Sequence, residues 1–206
     1  MTAFHRCHAV RIAALSSVVL LSACAGSQSR RCGDTVDLSE LRRLGATVDS
    51  TVFALKQAPD SQAKALTQYL QSVVDRTSEL DACGRVTTAF DLRSAAQLGL
   101  SAGVLGLETV ERAYRWSRRA VLADTSDRLS WRVMATAWDQ LQVLQQRPQW
   151  FATVISCPPP RADARCLLAP IDTTRVTDPE RAELGLRTLV RQREILDSLN
   201  RSRARP

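Results

Sequence analysis

The sequence predicts a mainly α protein: an irregular helical bundle or helix-pair superhelix with a small C-terminal β-hairpin followed by a helix. Three observations carry this. Apolar residues recur at helical spacing through most of residues 37–146, the signature of amphipathic helices. Pro, Gly and Asp clusters at Pro59-Asp60, Cys83-Gly84 and Asp124-Thr125-Ser126-Asp127 divide that stretch into short-linked segments. Two apolar runs then flank a turn-rich Pro158-Pro159-Pro160-Arg161-Ala162-Asp163, as expected for a hairpin.

The first helix is predicted over residues 37–56, with Asp37 and Glu40 spaced for a capping box and Leu38, Leu41, Val48, Val52 and Leu55 on one stripe. Pro59-Asp60 restarts the chain for a second helix over 60–81, striped by Leu66, Leu70, Val73, Thr77 and Leu80. A third is expected over 86–102, with Gly99 and Gly103 near its end. A fourth, over 104–123, carries Leu107, Val110, Tyr114 and Val121. The fifth runs from the Asp124–Asp127 turn to about Gln146, with Trp131, Met134, Trp138 and Leu141 along one side. Strands are expected at Trp150–Ser156 and Cys166–Ile171. A last helix, capped by Thr177 or Asp178 with Pro179 in its first turn, carries the arginines from Arg187 to Arg205. All four tryptophans fall between positions 116 and 150. Core filling is the preferred reading for these rings over an aromatic groove. Ala113–Asp124 looks loosely like a tetratricopeptide unit, but no 34-residue period recurs, which leaves the irregular bundle.

Ahead of these helices lies a different kind of segment. Arg6 and Arg11 form a cationic start, residues 12–21 an apolar core, and Leu21-Ser22-Ala23-Cys24 closes it with small residues before a cysteine. A bilayer-spanning helix needs roughly 20 apolar residues, more than this run supplies. The four residues resemble the lipobox of bacterial lipoproteins, and the resemblance implies a signal peptide at 1–23 and acyl chains, palmitate among them, on Cys24. More than one chain makes such anchoring stable. Ala25, in place of an aspartate, implies an outer-membrane destination with the body facing the periplasm. Residues 24–36, rich in Gly, Ser, Gln and Arg, read as a tether, and residues 37–206 as a single helical domain with its hairpin at about 150–171.

Cleavage at that point has chemical consequences. Both histidines, His5 and His8, belong to the leader, so the mature chain lacks the residue of Ser-His-Asp and Cys-His catalysis and of His-ligated zinc. No cofactor is expected. The chain holds 28 basic against 21 acidic residues, a net charge of +7. The arginines read as solvated helix faces or as attraction to anionic envelope surfaces, and nucleic acid is not an expected partner. With Cys7 removed and Cys24 acylated, Cys32, Cys83, Cys157 and Cys166 remain. An even number in an oxidising compartment predicts two disulfides. Cys32 with Cys83 would staple the open end of the first helical hairpin, and Cys157 with Cys166 the base of the β-hairpin loop. No Cys-x2-Cys spacing points to a metal.

The last third carries the most specific pattern: Ala137-Trp138-Asp139, Pro148-Gln149-Trp150-Phe151-Ala152-Thr153, Ala169-Pro170-Ile171-Asp172, and Asp178-Pro179-Glu180-Arg181-Ala182-Glu183-Leu184-Gly185-Leu186. It resembles a bacterial family of unknown function with a Pro-Gln-aromatic-Gly-Thr motif and an Asp-x-x-Arg-Ala-x-x-Gly-Leu motif. Gln140, Ala152 and Val154 replace that pattern's arginine, glycine and second glutamine. The resemblance implies a helical N-terminal part, then a hairpin and a helix, and no activity. The residues themselves allow Asp139, Gln149, Thr153, Asp172 and Arg181 to gather as a polar pocket. They equally allow Arg181 to fork onto Asp172 or Asp139 and pin the hairpin to the bundle.

The function expected from all this is that of a membrane-anchored, non-enzymatic interaction or structural module. Its partners would be the membrane, through lipid, and an envelope protein or cell-wall component. The alternative is a carboxylate-dependent hydrolase or glycan-processing enzyme using two of Asp139, Asp172, Asp178 and Glu180, since glycosidases need only such a pair. A ligand binder built on the tryptophans and Arg181 is a third possibility.

Overall fold

Five amphipathic helices form the body of the protein. The computed structural model describes residues 39–55, 58–157 and 165–203. Helix α1 spans Ser39–Leu55, α2 Asp60–Ala82, α3 Ala89–Ser101, α4 Leu107–Ala123 and α5 Arg128–Leu144, with a 3-10 turn at Ala102–Leu105 between α3 and α4. The leader 1–23, the tether 24–36, Asp37 with its capping box, and the turn at 158–163 lie outside the described residues.

Pro59, at φ −65°, is the N-cap of α2. Its far end closes on Gly84, whose φ of +66° suits a residue without Cβ; Gly84 N–H donates to the Asp81 carbonyl and Arg85 N–H to that of Leu80. Helix α3 starts at Ala89 rather than 86, because Thr88 stays extended and its hydroxyl accepts the N–H of Asp91 at 3.1 Å. Asp127 caps α5, accepting from Leu129 N–H at 3.0 Å and Ser130 Oγ at 2.7 Å, and it also pairs with Arg93 of α3.

Helix α3 is the central element. It packs most extensively against α4, which in turn packs against α5, while α1 lies against α2 and α3. Small residues set this closeness: Ala95, Ala96, Ala113, Ala120, Ala135 and Ala137 are fully buried. A Cβ placed on Gly99 would meet the Cβ of Ala113 at 3.0 Å and the ring of Trp116 at 3.4 Å. Val48, Leu70, Val73, Val74, Leu80, Leu92 and Trp116 complete the core, with Val52 and Leu55 packed on its edge. Leu107, placed on the stripe of α4 by its spacing, is exposed instead. Polar ties lock α2 to α4: Trp116 Nε1 donates to Asp81 Oδ2 at 2.8 Å, and Arg112 reaches Asp75 at 3.2 Å. Of the predicted aromatic side of α5, Leu141 is buried while Trp131, Met134 and Trp138 are half-buried. Trp138 packs between Tyr114 and Trp150, with ring centroids 5.4 and 4.7 Å away.

The C-terminal part departs from expectation in two places. The hairpin is real but its strands are short, β1 Ile155–Ser156 and β2 Leu167–Leu168, antiparallel with Ile155 opposite Leu168, and Gln149 and Ile171 add one isolated bridge. Residues 150–154 are not strand, because the amides of Trp150, Phe151 and Thr153 are drawn to the buried Asp139 carboxylate and that of Val154 to the Gln149 side-chain oxygen rather than into a ladder. The expected single last helix is two, α6 Asp178–Glu183 and α7 Leu189–Arg203. Gly185, at φ +70°, ends α6, and Asp178 Oδ1 then accepts the N–H of Leu189 at 2.8 Å. Thr177 is the cap of α6 and forms a full capping box with Glu180.

Cys157 and Cys166 form the expected disulfide across the hairpin loop. Cys83 is also disulfide-bonded; its predicted partner Cys32 lies outside the described residues. Asn200 on α7 receives the N–H of Cys166 at 2.7 Å and donates to the Cys166 carbonyl at 3.1 Å, so the stapled hairpin is tied to the last helix. Among the described residues no helix is long and apolar enough to cross a membrane.

Candidate functional site

Four of the five residues expected to form a polar pocket do come together, and the chain's own backbone fills the space between them. Asp139, fully buried on α5, accepts through Oδ1 the N–H groups of Trp150 at 2.8 Å and Phe151 at 3.0 Å. Its Oδ2 accepts Thr153 N–H at 2.9 Å and Thr153 Oγ1 at 2.8 Å. Turning those amides toward α5 turns the carbonyls of the same residues away, toward α6. There Arg181, also fully buried, donates from Nη1 to the Phe151 carbonyl at 2.7 Å and from Nη2 to that of Trp150 at 2.9 Å. A third bond, from Nη2 to the Val176 carbonyl at 3.3 Å, and Asp178 Oδ1 at 3.4 Å from Nε complete its surroundings.

Gln149 ties the ends of this loop. Its Nε2 donates to the carbonyls of Ala169 at 2.8 Å and Val154 at 3.2 Å, and its Oε1 accepts Val154 N–H at 2.9 Å. Gln192 of α7 donates to the Ala152 carbonyl at 2.7 Å. Ala152 itself sits at φ +56°, a conformation that a non-glycine residue holds only when its neighbours are held on both sides.

The charges follow the same logic. Burial pushes the Asp139 carboxyl above its ordinary value, opposed by the hydrogen bonds from Phe151, Thr153 and Trp150. Burial pulls the Arg181 guanidinium down, offset in part by the charges of Asp178 and Asp139. The expected fork of Arg181 onto a carboxylate is therefore corrected: its Nη groups grip backbone carbonyls, and the link to Asp139 runs through the loop. Asp172 stands apart. Its carboxyl takes the N–H and hydroxyl of Thr174 and the Nε of Arg175, bonds that hold it below the usual carboxylate range.

The two other carboxylates of the enzymatic alternative are also engaged. Asp178 receives Leu189 N–H, and Glu180 receives the N–H and hydroxyl of Thr177, which lower its pKa. No group of three or more His, Cys, Asp and Glu among the described residues could hold a metal ion.

Open space lies beside this cluster. A cleft of about 760 Å³ is walled by α1 with Gly45 and Asp49, by α3 with Ser94, Gln97 and Leu98, and by α5 with Leu129, Arg132 and Thr136. Thr153, Leu186 and Arg187 of the C-terminal part close its remaining side. Only Thr153 belongs to both the pinned loop and the cleft. Leu186 and Arg187 were named in the sequence only as part of the Gly-Leu motif and the last helix; the other lining residues were not singled out, although Arg132, one helical turn from the like charge of Arg128, is a legible signal. No family model, no curated protein and no solved structure matches this chain.

Proposed function

We propose that this protein is a bacterial envelope lipoprotein, acylated on Cys24 and held at the periplasmic face of the outer membrane. There its helical body engages an envelope protein or cell-wall component without catalysing a reaction. The observation that carries the reading is Leu21-Ser22-Ala23-Cys24 behind a cationic start and an apolar core too short to span a bilayer. The C-terminal motifs that led this segment to resemble a bacterial family of unknown function are, in this chain, occupied by fold-holding work.

Support for a non-enzymatic body over a carboxylate hydrolase comes from Asp139, Asp172, Asp178 and Glu180. Each accepts from backbone or side-chain donors of its own chain, whereas a glycosidase pair must face a scissile bond. Intact-mass spectrometry of the protein from its native host tests the anchoring: the expected species begins at an acylated Cys24, and a chain retaining Met1 or a bare Cys24 thiol overturns it. Cross-linking in whole cells, followed by mass spectrometry, tests the engagement; a protein that stays uncross-linked in the membrane fraction overturns that part.

A further inference from the structure

Several arginines of this protein are matched with acids. Arg93 meets Asp127, Arg112 meets Asp75 and Glu108, Arg119 meets Asp81, Arg175 meets Asp172, and Arg181 meets Asp178. At the cleft, unmatched arginines converge on one space. Arg128 and Arg132 stand one turn apart on α5, and a Cβ at Gly185 would lie 3.6 to 3.8 Å from their aliphatic stems. Arg187 follows two residues later and lines the same cleft as Arg132. None of the three has a carboxylate partner within 4.0 Å among the described residues. Like charges at this helical spacing repel, and an external anion relieves that repulsion.

The remaining walls define the body of such a ligand. Leu98, Leu129, Val133 and Leu186 give aliphatic contact, and Ser94 and Thr136 add hydroxyls. Asp49, on the α1 wall, disfavours a second negative group there and directs the charged end toward α5. The volume falls in the range of small-molecule sites, roughly 300–1,000 Å³. We propose that this cleft binds an amphipathic organic anion, its carboxylate or phosphate head held by Arg132 and Arg187 and a short aliphatic body lying against Leu98, Leu129 and Leu186. The site goes beyond the lipoprotein reading and does not depend on it.

Titration calorimetry on the full chain carrying Cys24→Ser, so that no acyl chain competes, compares hexanoate, hexyl phosphate and 1-hexanol. Saturable binding of at least one anion is expected, with 1-hexanol at least tenfold weaker; the tighter anion identifies the head group. Arg132→Gln and Arg187→Gln should each weaken binding about fivefold, and about 0.5 M NaCl should weaken it in the unsubstituted chain. Leu129→Ser should weaken it through the body alone. Because all three side chains are exposed, melting temperatures should stay unchanged and report that the variants are folded. Absence of saturable anion binding, equal binding of the alcohol, or anion binding indifferent to both arginine substitutions overturns the proposal. None of these outcomes bears on the acylation of Cys24, which mass alone reads.

Discussion

Asp139 and Arg181 grip one short loop by its two opposite polarities, the first taking the N–H groups of Trp150, Phe151 and Thr153 and the second the carbonyls of Trp150 and Phe151. Removing either partner strands buried polar groups, a loss of about 3–5 kcal/mol for an uncompensated buried charge. Asp139→Asn and Arg181→Met should therefore each lower the urea midpoint strongly. The double variant should lose clearly less than the two losses combined, since both act on the same loop; additivity to within about 0.5 kcal/mol would show that they act independently. Asp139, Gln149, Thr153 and Arg181 were legible in the sequence as a polar set. Their partners were not, because a backbone carbonyl or amide has no letter of its own. Asp172 was grouped with them on residue type alone, and the local Thr174 and Arg175 claim it instead.

Helix boundaries are decided by side chains that outcompete the next turn, and Asp127 is the clearest case. Desolvation raises its carboxyl, but Ser130, the Leu129 amide and Arg93 together hold it below its ordinary 3.8. A depressed carboxylate stabilises the fold at pH above about 3.8, and that contribution is lost as pH falls through the lower folded value. Asp127→Ala should cost about 1–2 kcal/mol near neutrality, the usual worth of a helix cap. The gap between it and the parent should close as the pH is taken below that window, measured by denaturant unfolding; a gap independent of pH would mean that charge is not what Asp127 contributes. Gly99 sets the spacing of α3 and α4, so Gly99→Leu should destabilise by roughly 1–3 kcal/mol through overpacking against Ala113 and Trp116. An unchanged melting temperature would show that the pair can part freely. The five helices could be read from periodicity and turns. The shortened strands and the divided last helix could not, because Asp139 and Asp178 capture backbone amides from eleven residues away or more.

At the scale of the molecule, a small-residue helical body carries a C-terminal part held by few, strong ties: the Asp139–loop–Arg181 pin, the Cys157–Cys166 disulfide and the Asn200 clasp. Cross-linking a loop of this length contributes about 2–3 kcal/mol in the chain-entropy model. Replacing both Cys157 and Cys166 by serine should lower hydrogen-exchange protection in β1, β2 and α7 while leaving α3 and α4 protected. Uniform loss across all helices would instead mark a single cooperative unit. The sequence by itself determined the helical class, the number of helices in the body, the hairpin and its disulfide, because periodicity, turn residues and cysteine spacing are local properties of the chain. Only the tertiary structure decided that the polar motif is a pin filled by backbone, and that Arg132 and Arg187 share a cleft with α1 and α3. Those outcomes depend on which distant groups the fold brings together, and no local pattern encodes that.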